Sequence, residues 1–388
     1  MPERTRSLTA AKLSADDLAA ALAPHSSAPT GKSLSVTGLS KSYGRTTVVD
    51  GVDMEIAAGE FVTFLGSSGS GKTTTLMMLA GFTEPDSGSI TVDGRDITEL
   101  NPGKRDFGFV FQQYLLFPHM TVAENVAFPL TLRGVPKAEI RRRVGETLEA
   151  AGLSKFAGRK PRELSGGQQQ RVALCRVLVY RPPIVLMDEP LGALDKRLRD
   201  QMQTEIKSIQ CELGLTVIYV THDQEEALVL SDRIAIMKDG RIEQFDTPRG
   251  LFERPRTPFV ADFLGAANFL TGKAEDGGGD DCTRVRLDTG GVLTARAHPC
   301  VPGQSVRAAV RPGKLRLVGA EEGCCSGTVE AAVYVGSLTR ITVRLDGAAP
   351  GAQPLRIETA AVPPRPGERV CVTADRDDVS VFDATDGG

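Results

Sequence analysis

What this chain lacks narrows it before any motif is read. No apolar run approaches the roughly 18 residues that a bilayer-crossing helix needs, so the chain is expected to span no membrane itself. If it works at one, it docks on another subunit. Neither charge dominates: 46 Lys and Arg stand against 49 Asp and Glu, a net charge of −3. Nothing global therefore points to nucleic acid or to an anionic lipid surface. The seven cysteines include no CxxC pair and no His–Cys cluster with zinc spacing. Cys324 and Cys325 are adjacent, which suits small apolar residues of a strand better than a bridge. All seven are expected as free thiols in a reducing cytoplasm. The first residues also lack the continuous apolar core of a secretory signal, because Asp16 and Asp17 interrupt Leu13, Leu18 and Leu22. Residues 1–32 read as a flexible polar tail.

What is present is a soluble-type balance, with 41% hydrophobic and 24% charged residues over 388 positions. That length exceeds one ordinary core and predicts two domains. Over residues 33–267, short β-rich runs alternate with helix-like stretches. The runs Phe61–Leu65, Ile184–Met187 and Thr216–Val220 are almost wholly apolar, as strands covered on both faces must be. Phe107–Phe111 and Arg233–Met237 are further strands, and the alternation predicts an α/β domain on a largely parallel sheet. Residues 268–388 differ. Alternating runs at 283–287, 305–310, 328–335 and 340–345, separated by Gly and Pro, predict an all-β domain, a small OB-type barrel. No internal repeat of the first domain's motifs occurs.

Three segments carry chemistry. The run Gly66-Ser-Ser-Gly-Ser-Gly-Lys-Thr73 fits G-x-x-x-x-G-K-[ST] between an apolar strand and a helix-like run opening at Thr74. Gly66, Gly69 and Gly71 let the backbone wrap a phosphate, and the N–H groups around Ser67, Ser68, Ser70 and Thr74 line the cradle at a helix start. Lys72 brings charge to the β- and γ-phosphates of ATP, and the Thr73 hydroxyl is a ligand for Mg²⁺. Ile184-Val-Leu-Met-Asp-Glu-Pro190 then ends a buried strand in two carboxylates. Ligands of open α/β sheets sit beyond such strand ends, so Asp188 is expected beside the metal and Glu189 as general base for an attacking water. In Leu164-Ser-Gly-Gly-Gln-Gln-Gln-Arg171, Ser165 reads as an N-cap, while Gly166, Gly167 and Gln168 open a second anion-binding helix start. Two phosphate sites with one nucleotide loop make sense if two copies face each other.

The run LSGGQQQR just upstream of the aspartate strand resembles the signature of ATP-binding cassette ATPases, a P-loop NTPase family. The resemblance extends residue by residue. Tyr43 matches the aromatic that stacks on adenine, and Gln112 the glutamine that senses the γ-phosphate and metal and contacts the transmembrane partner. Asp195 matches the D-loop aspartate, and His222 the switch histidine, giving Glu189, His222 and Gln112 as catalytic residues. Gly192 departs from the pattern, since Ser is common there. Segments 239–248, 258–265, 310–317 and 334–343 resemble bacterial importer ATPases with a C-terminal TOBE (OB-type) domain, the spermidine/putrescine group in particular.

The resemblance implies a homodimer of ATPase subunits on two transmembrane permease subunits, fed by a periplasmic solute-binding protein. Its place is then peripheral, on the cytoplasmic face of the inner membrane. Polyamine is the expected cargo, with ferric iron, phosphonate, opine, sulfate or sugar as alternatives. A translation factor would bring two cassettes, and a DNA-repair ATPase a heptad coiled coil; neither feature is present. No nucleic-acid partner is expected, because residues 283–345 offer Tyr334 as their one aromatic platform.

Overall fold

The computed structural model describes residues 31–192, 194–275 and 282–384. The expected tail therefore lies, up to residue 30, outside the described residues. Two compact units divide at Pro248/Arg249. This differs from the sequence expectation, which ran the first domain to residue 267. The helix Pro258–Phe263 belongs with the second unit because the Arg311 guanidinium donates to the carbonyls of Ala261 (2.5 Å) and Gly265 (2.6 Å). Ala261 is also buried with Ala309 and Phe382.

The first unit is built on a six-stranded sheet in the order Arg241–Asp246, Arg233–Lys238, Phe61–Leu65, Thr216–Thr221, Ile184–Asp188, Gly108–Val110. All neighbours are parallel except the outermost hairpin pair, Arg233–Lys238 with Arg241–Asp246. Alternate residues of each strand enter opposite cores, as the two-residue period of a strand requires. Phe61, Val185, Met187, Val217 and Tyr219 pack with the helices on one face. Val62, Phe64, Ile184, Leu186, Ile218 and Val220 pack on the other. There they meet the helix Lys72–Ala80 and a second sheet, antiparallel and four-stranded, made from Thr46–Ile56, Leu34–Tyr43, Ser87–Val92 and Arg95–Asp96. Sequence reading did not anticipate this second sheet. Among the described residues, no helix is long and apolar enough to cross a membrane.

Beyond short helical segments such as Pro258–Phe263, the second unit is built of strands, as expected. It has two antiparallel five-stranded sheets. In each, the two outermost strands come back toward one another, Val292–Arg296 to Val379–Asp383 and Leu315–Val318 to Leu355–Thr359. Both sheets curl around one apolar core that includes Val285, Val306, Ile341, Val343 and Val372. Two curled sheets let each of the many short strands place one face inside.

Candidate functional site

Parallel strands bring their carboxyl ends to one edge of a sheet, and the chemistry-bearing loops leave from that edge. Leu65 lies opposite Thr221, Asp188 opposite Val220, and Val110 opposite Met187. The residues that follow, Gly66, His222, Glu189 and Gln112, are therefore neighbours by register.

Two glycines of the 66–73 loop are demanded by space. A Cβ on Gly66 would sit 2.4 Å from the Met237 carbonyl oxygen and 2.6 Å from Ser70 Oγ. Gly71 has φ +99°, and a Cβ there would sit 2.6 Å from the Val48 carbonyl. Gly71 opens the helix Lys72–Ala80, and no side chain caps it. Its first-turn N–H groups thus remain donors for an anion. The Ser70 carbonyl accepts from Gly240 N at 3.2 Å, which fixes the far side of the loop. Ser67, Ser68 and Gly69 form the exposed arch, and Thr74 lies in the first helical turn.

Lys72 is 5% exposed. Its Nζ donates to the carbonyls of Gly66 (2.8 Å) and Ser67 (2.7 Å), so the ammonium is held under the arch. Burial pushes its pKa down, and the charges of Glu189 and Asp188 pull it back up. Thr73 Oγ1 donates to Asp188 Oδ1 at 3.1 Å. Burial pushes the Asp188 carboxyl up, the nearby Glu189 charge adds to that, and Thr73 and Lys72 oppose it. Thr73 and Asp188 thus present adjacent hard oxygen donors, suited to a small divalent cation.

Glu189 has φ +43°, an uncommon left-handed position for a side-chain-bearing residue. Its amide donates to the Val220 carbonyl at 3.0 Å. The carboxylate is shared between two other strand ends. His222 Nδ1 lies 3.1 Å from Oε1, and Gln112 Nε2 donates to Oε2 at 3.3 Å. Among the described residues, a Cβ on Gly192 would meet only the Glu189 carbonyl, at 3.6 Å, an ordinary contact.

Tyr43, 54% exposed, ends the strand Leu34–Tyr43, and Lys41 Nζ lies 5.7 Å from its ring centroid. The paired strand Thr46–Ile56 carries Val48, whose carbonyl abuts Gly71. An exposed aromatic face and the phosphate loop are thereby joined through one hairpin.

Ser165 caps the helix Gly166–Leu178, its hydroxyl accepting from Gln168 N while Gln168 Oε1 accepts from Ser165 N. Gly167 leaves room for Leu198, whose Cδ2 would lie 2.6 Å from a Cβ there. Leu198 N in turn donates to Asp195 Oδ1 at 3.0 Å, capping the helix Lys196–Leu213. Ser165–Gln168 and Asp195 thus form a second cluster. Among the described residues, no hydrogen bond or ion pair joins it to the 66–74 loop. Sequence reasoning missed Arg199, Asp223 and Glu226, which lie behind Asp195 and His222; their signal is pairing across the fold, which no local motif carries.

Comparison with known proteins places these geometries in company. A family described as ABC transporter matches residues 49–192, and one described as TOBE domain matches residues 308–382. The spermidine/putrescine import ATP-binding protein PotA of Thermobifida fusca is 51% identical over 80% of this chain and 83% of its own length. PotA of Rubrobacter xylanophilus is 48% identical over 87% and 90%, and PotA 2 of Pseudomonas aeruginosa 46% identical over 81% and 88%. A dimeric ATP-binding cassette solved in a post-hydrolysis state with ADP and Pi superposes with a TM-score of 0.51. It is 38% identical and covers 56% of this chain and 99% of that one.

Proposed function

Because the chain belongs to the ATP-binding cassette family of importer ATPases, an ATP hydrolase, we propose that it powers polyamine uptake through a separate permease. The observation that carries the ATPase site is the Glu189 carboxylate, held by Gln112 and His222 beside Lys72, Thr73 and Asp188. In this reading the 66–74 backbone and Lys72 hold the β- and γ-phosphates, and Tyr43 stacks on the adenine. Glu189 accepts the proton of the attacking water, while His222 and Gln112 fix its two oxygens. Thr73 and Asp188, with Gln112 alongside, are the residues that would hold Mg²⁺, a hard cation that takes oxygen ligands. When bound, it neutralises charge developing on the phosphoryl oxygens.

Ser165, Gly166, Gly167 and Gln168 form a site without a phosphate loop of their own, so they serve the nucleotide held by a second copy, with Asp195 at the seam. Two copies close on ATP and part after hydrolysis, and the difference in affinity between closed and open pairs drives the permease. The exposed Phe82 ring, grouped with Phe109 and Phe111 next to Gln112, offers an apolar surface for that partner. Its place is then the cytoplasmic face of the cell membrane, as a peripheral subunit. The polyamine assignment rests on the relatives' names, and those relatives match over four-fifths or more of the chain.

Uptake of labelled spermidine by cells lacking the chain tests both levels. Restoration by the wild type and not by Glu189→Gln is expected. Restored uptake of another solute, with polyamine uptake unchanged throughout, would discard the cargo assignment and leave the ATPase reading standing.

A further inference from the structure

One half-buried guanidinium joins the loop that ends in Asp195 to the loop that carries His222. Arg199 lies in the first turn of the helix Lys196–Leu213. Its Nη2 donates to the carbonyl of Leu194, the residue before Asp195, at 3.1 Å. Its Nη1 donates to Oδ2 of Asp223, the residue after His222, at 2.9 Å. Its Nε faces Glu226 Oε1 at 3.5 Å.

The acceptors are themselves fixed. Asp223 Oδ1 caps the helix Gln224–Leu230 by accepting from Glu225 N and Glu226 N. Glu226 is 2% exposed, and its Oε2 accepts from Tyr219 OH (2.8 Å) and Thr221 Oγ1 (2.7 Å). Both donors belong to the strand Thr216–Thr221, which His222 directly follows. A charge buried this deeply is tolerated only when paired and hydrogen-bonded, and here Arg199 faces one oxygen while two hydroxyls donate to the other.

We infer that Arg199 is a positioning residue that ties movement of the Asp195 loop to the orientation of His222, and through it to Glu189. The inference deepens the ATPase reading and rests on it. A planar fork suits this work, since its two Nη groups donate to a backbone carbonyl and a carboxylate at once while its charge faces a second carboxylate. A lysine brings the same charge but one donor centre. If closure of two copies displaces the Asp195 loop, the carbonyl of Leu194 moves with it, and the guanidinium transmits that shift to Asp223. His222 then presents Nδ1 to Glu189 only in one setting of the loop.

The test uses the purified full chain and three readouts: kcat, KM for ATP, and ATP Kd. Arg199→Met is expected to lower kcat at least tenfold while KM and Kd stay within twofold, because no atom of Arg199 reaches the nucleotide loop. Combined with His222→Ala, it is expected to cost no more than His222→Ala alone, the mark of residues acting in series. Arg199→Lys is expected to recover part of kcat. Should Arg199→Met not fold, Arg199→Lys with and without His222→Ala supplies the same comparison. Unchanged kcat in the Arg199 variants, or losses that multiply with His222→Ala, overturn the inference while leaving the site reading intact. A His222→Ala variant of undiminished kcat overturns the site reading instead.

Discussion

Lys72 and Asp188 feel the same burial with opposite effect, and each makes a prediction. The folded Asp188 carboxyl titrates above its ordinary 3.8, chiefly from burial. Between that value and the raised one, the folded state binds the extra proton, so stability falls as pH rises through the window and is flat above it. Asp188→Asn removes this loss. The nucleotide-free variant is therefore expected to melt higher than wild type at pH 7, with the gap narrowing toward pH 4, while its ATPase activity collapses. A variant that melts lower at both pH values would show the carboxylate to be structural. Lys72→Ala deletes a charged donor to phosphate, worth about 1.5–3 kcal/mol, so ATP Kd is expected to rise roughly tenfold to a hundredfold by calorimetric titration. Glu189→Gln keeps the shape and removes the base; by analogy with other aimed catalytic groups, a loss of about 10²–10³ in kcat is expected, with ATP binding retained. Tight binding with slow turnover is the combination to look for.

At the scale of elements, capping and catalysis can be separated at Ser165. The hydroxyl holds the first turn of the helix Gly166–Leu178, and such a cap contributes about 1 kcal/mol. Ser165→Ala is expected to lower both melting temperature and ATPase activity. Ser165→Asp keeps a capping oxygen but sets a negative charge where a partner's phosphate would approach. It is expected to melt like wild type and to hydrolyse no ATP. Equal activity in Ser165→Asp and wild type would remove this segment from the site.

The contrast also explains what was legible in the sequence. The 66–73 loop, the 184–190 strand end and the Ser165 cap are contiguous, because a phosphate cradle, a metal-side carboxylate and an N-cap each need neighbours one to three residues apart. Their strands were readable because burial on both faces leaves unbroken apolar runs such as Phe61–Leu65. The antiparallel sheet was not, because Leu34–Tyr43 and Thr46–Ile56 are interrupted by polar residues and register shifts. The doubled sheet of the second unit stayed hidden as well, since pairings such as Leu315–Val318 with Arg369–Ala374 depend on partners far along the chain. Arg199 carries no motif, and its meaning lies in Asp223 and Glu226.

Among the described residues the chain divides into two compact units, each with apolar packing of its own. Two melting transitions are therefore expected by scanning calorimetry of Glu189→Gln. Mg²⁺ and ATP should raise one of them alone, by about 2.7 kcal/mol at a hundredfold excess over Kd. One transition moving as a whole would contradict this. Specific ATPase activity should also climb with protein concentration, as a site completed by a second copy requires; a flat dependence down to dilute protein would assign the full reaction to one chain. The sharing of Glu189 then acquires a logical sense. Gln112 secures one of its oxygens and His222 the other, and a carboxylate pinned at one oxygen still turns about the other. On the proposed function the pair is expected to act as a coincidence gate, with Gln112 carrying a signal from the permease and His222 one from the second cassette, so that the proton leaves the water only when both arrive together.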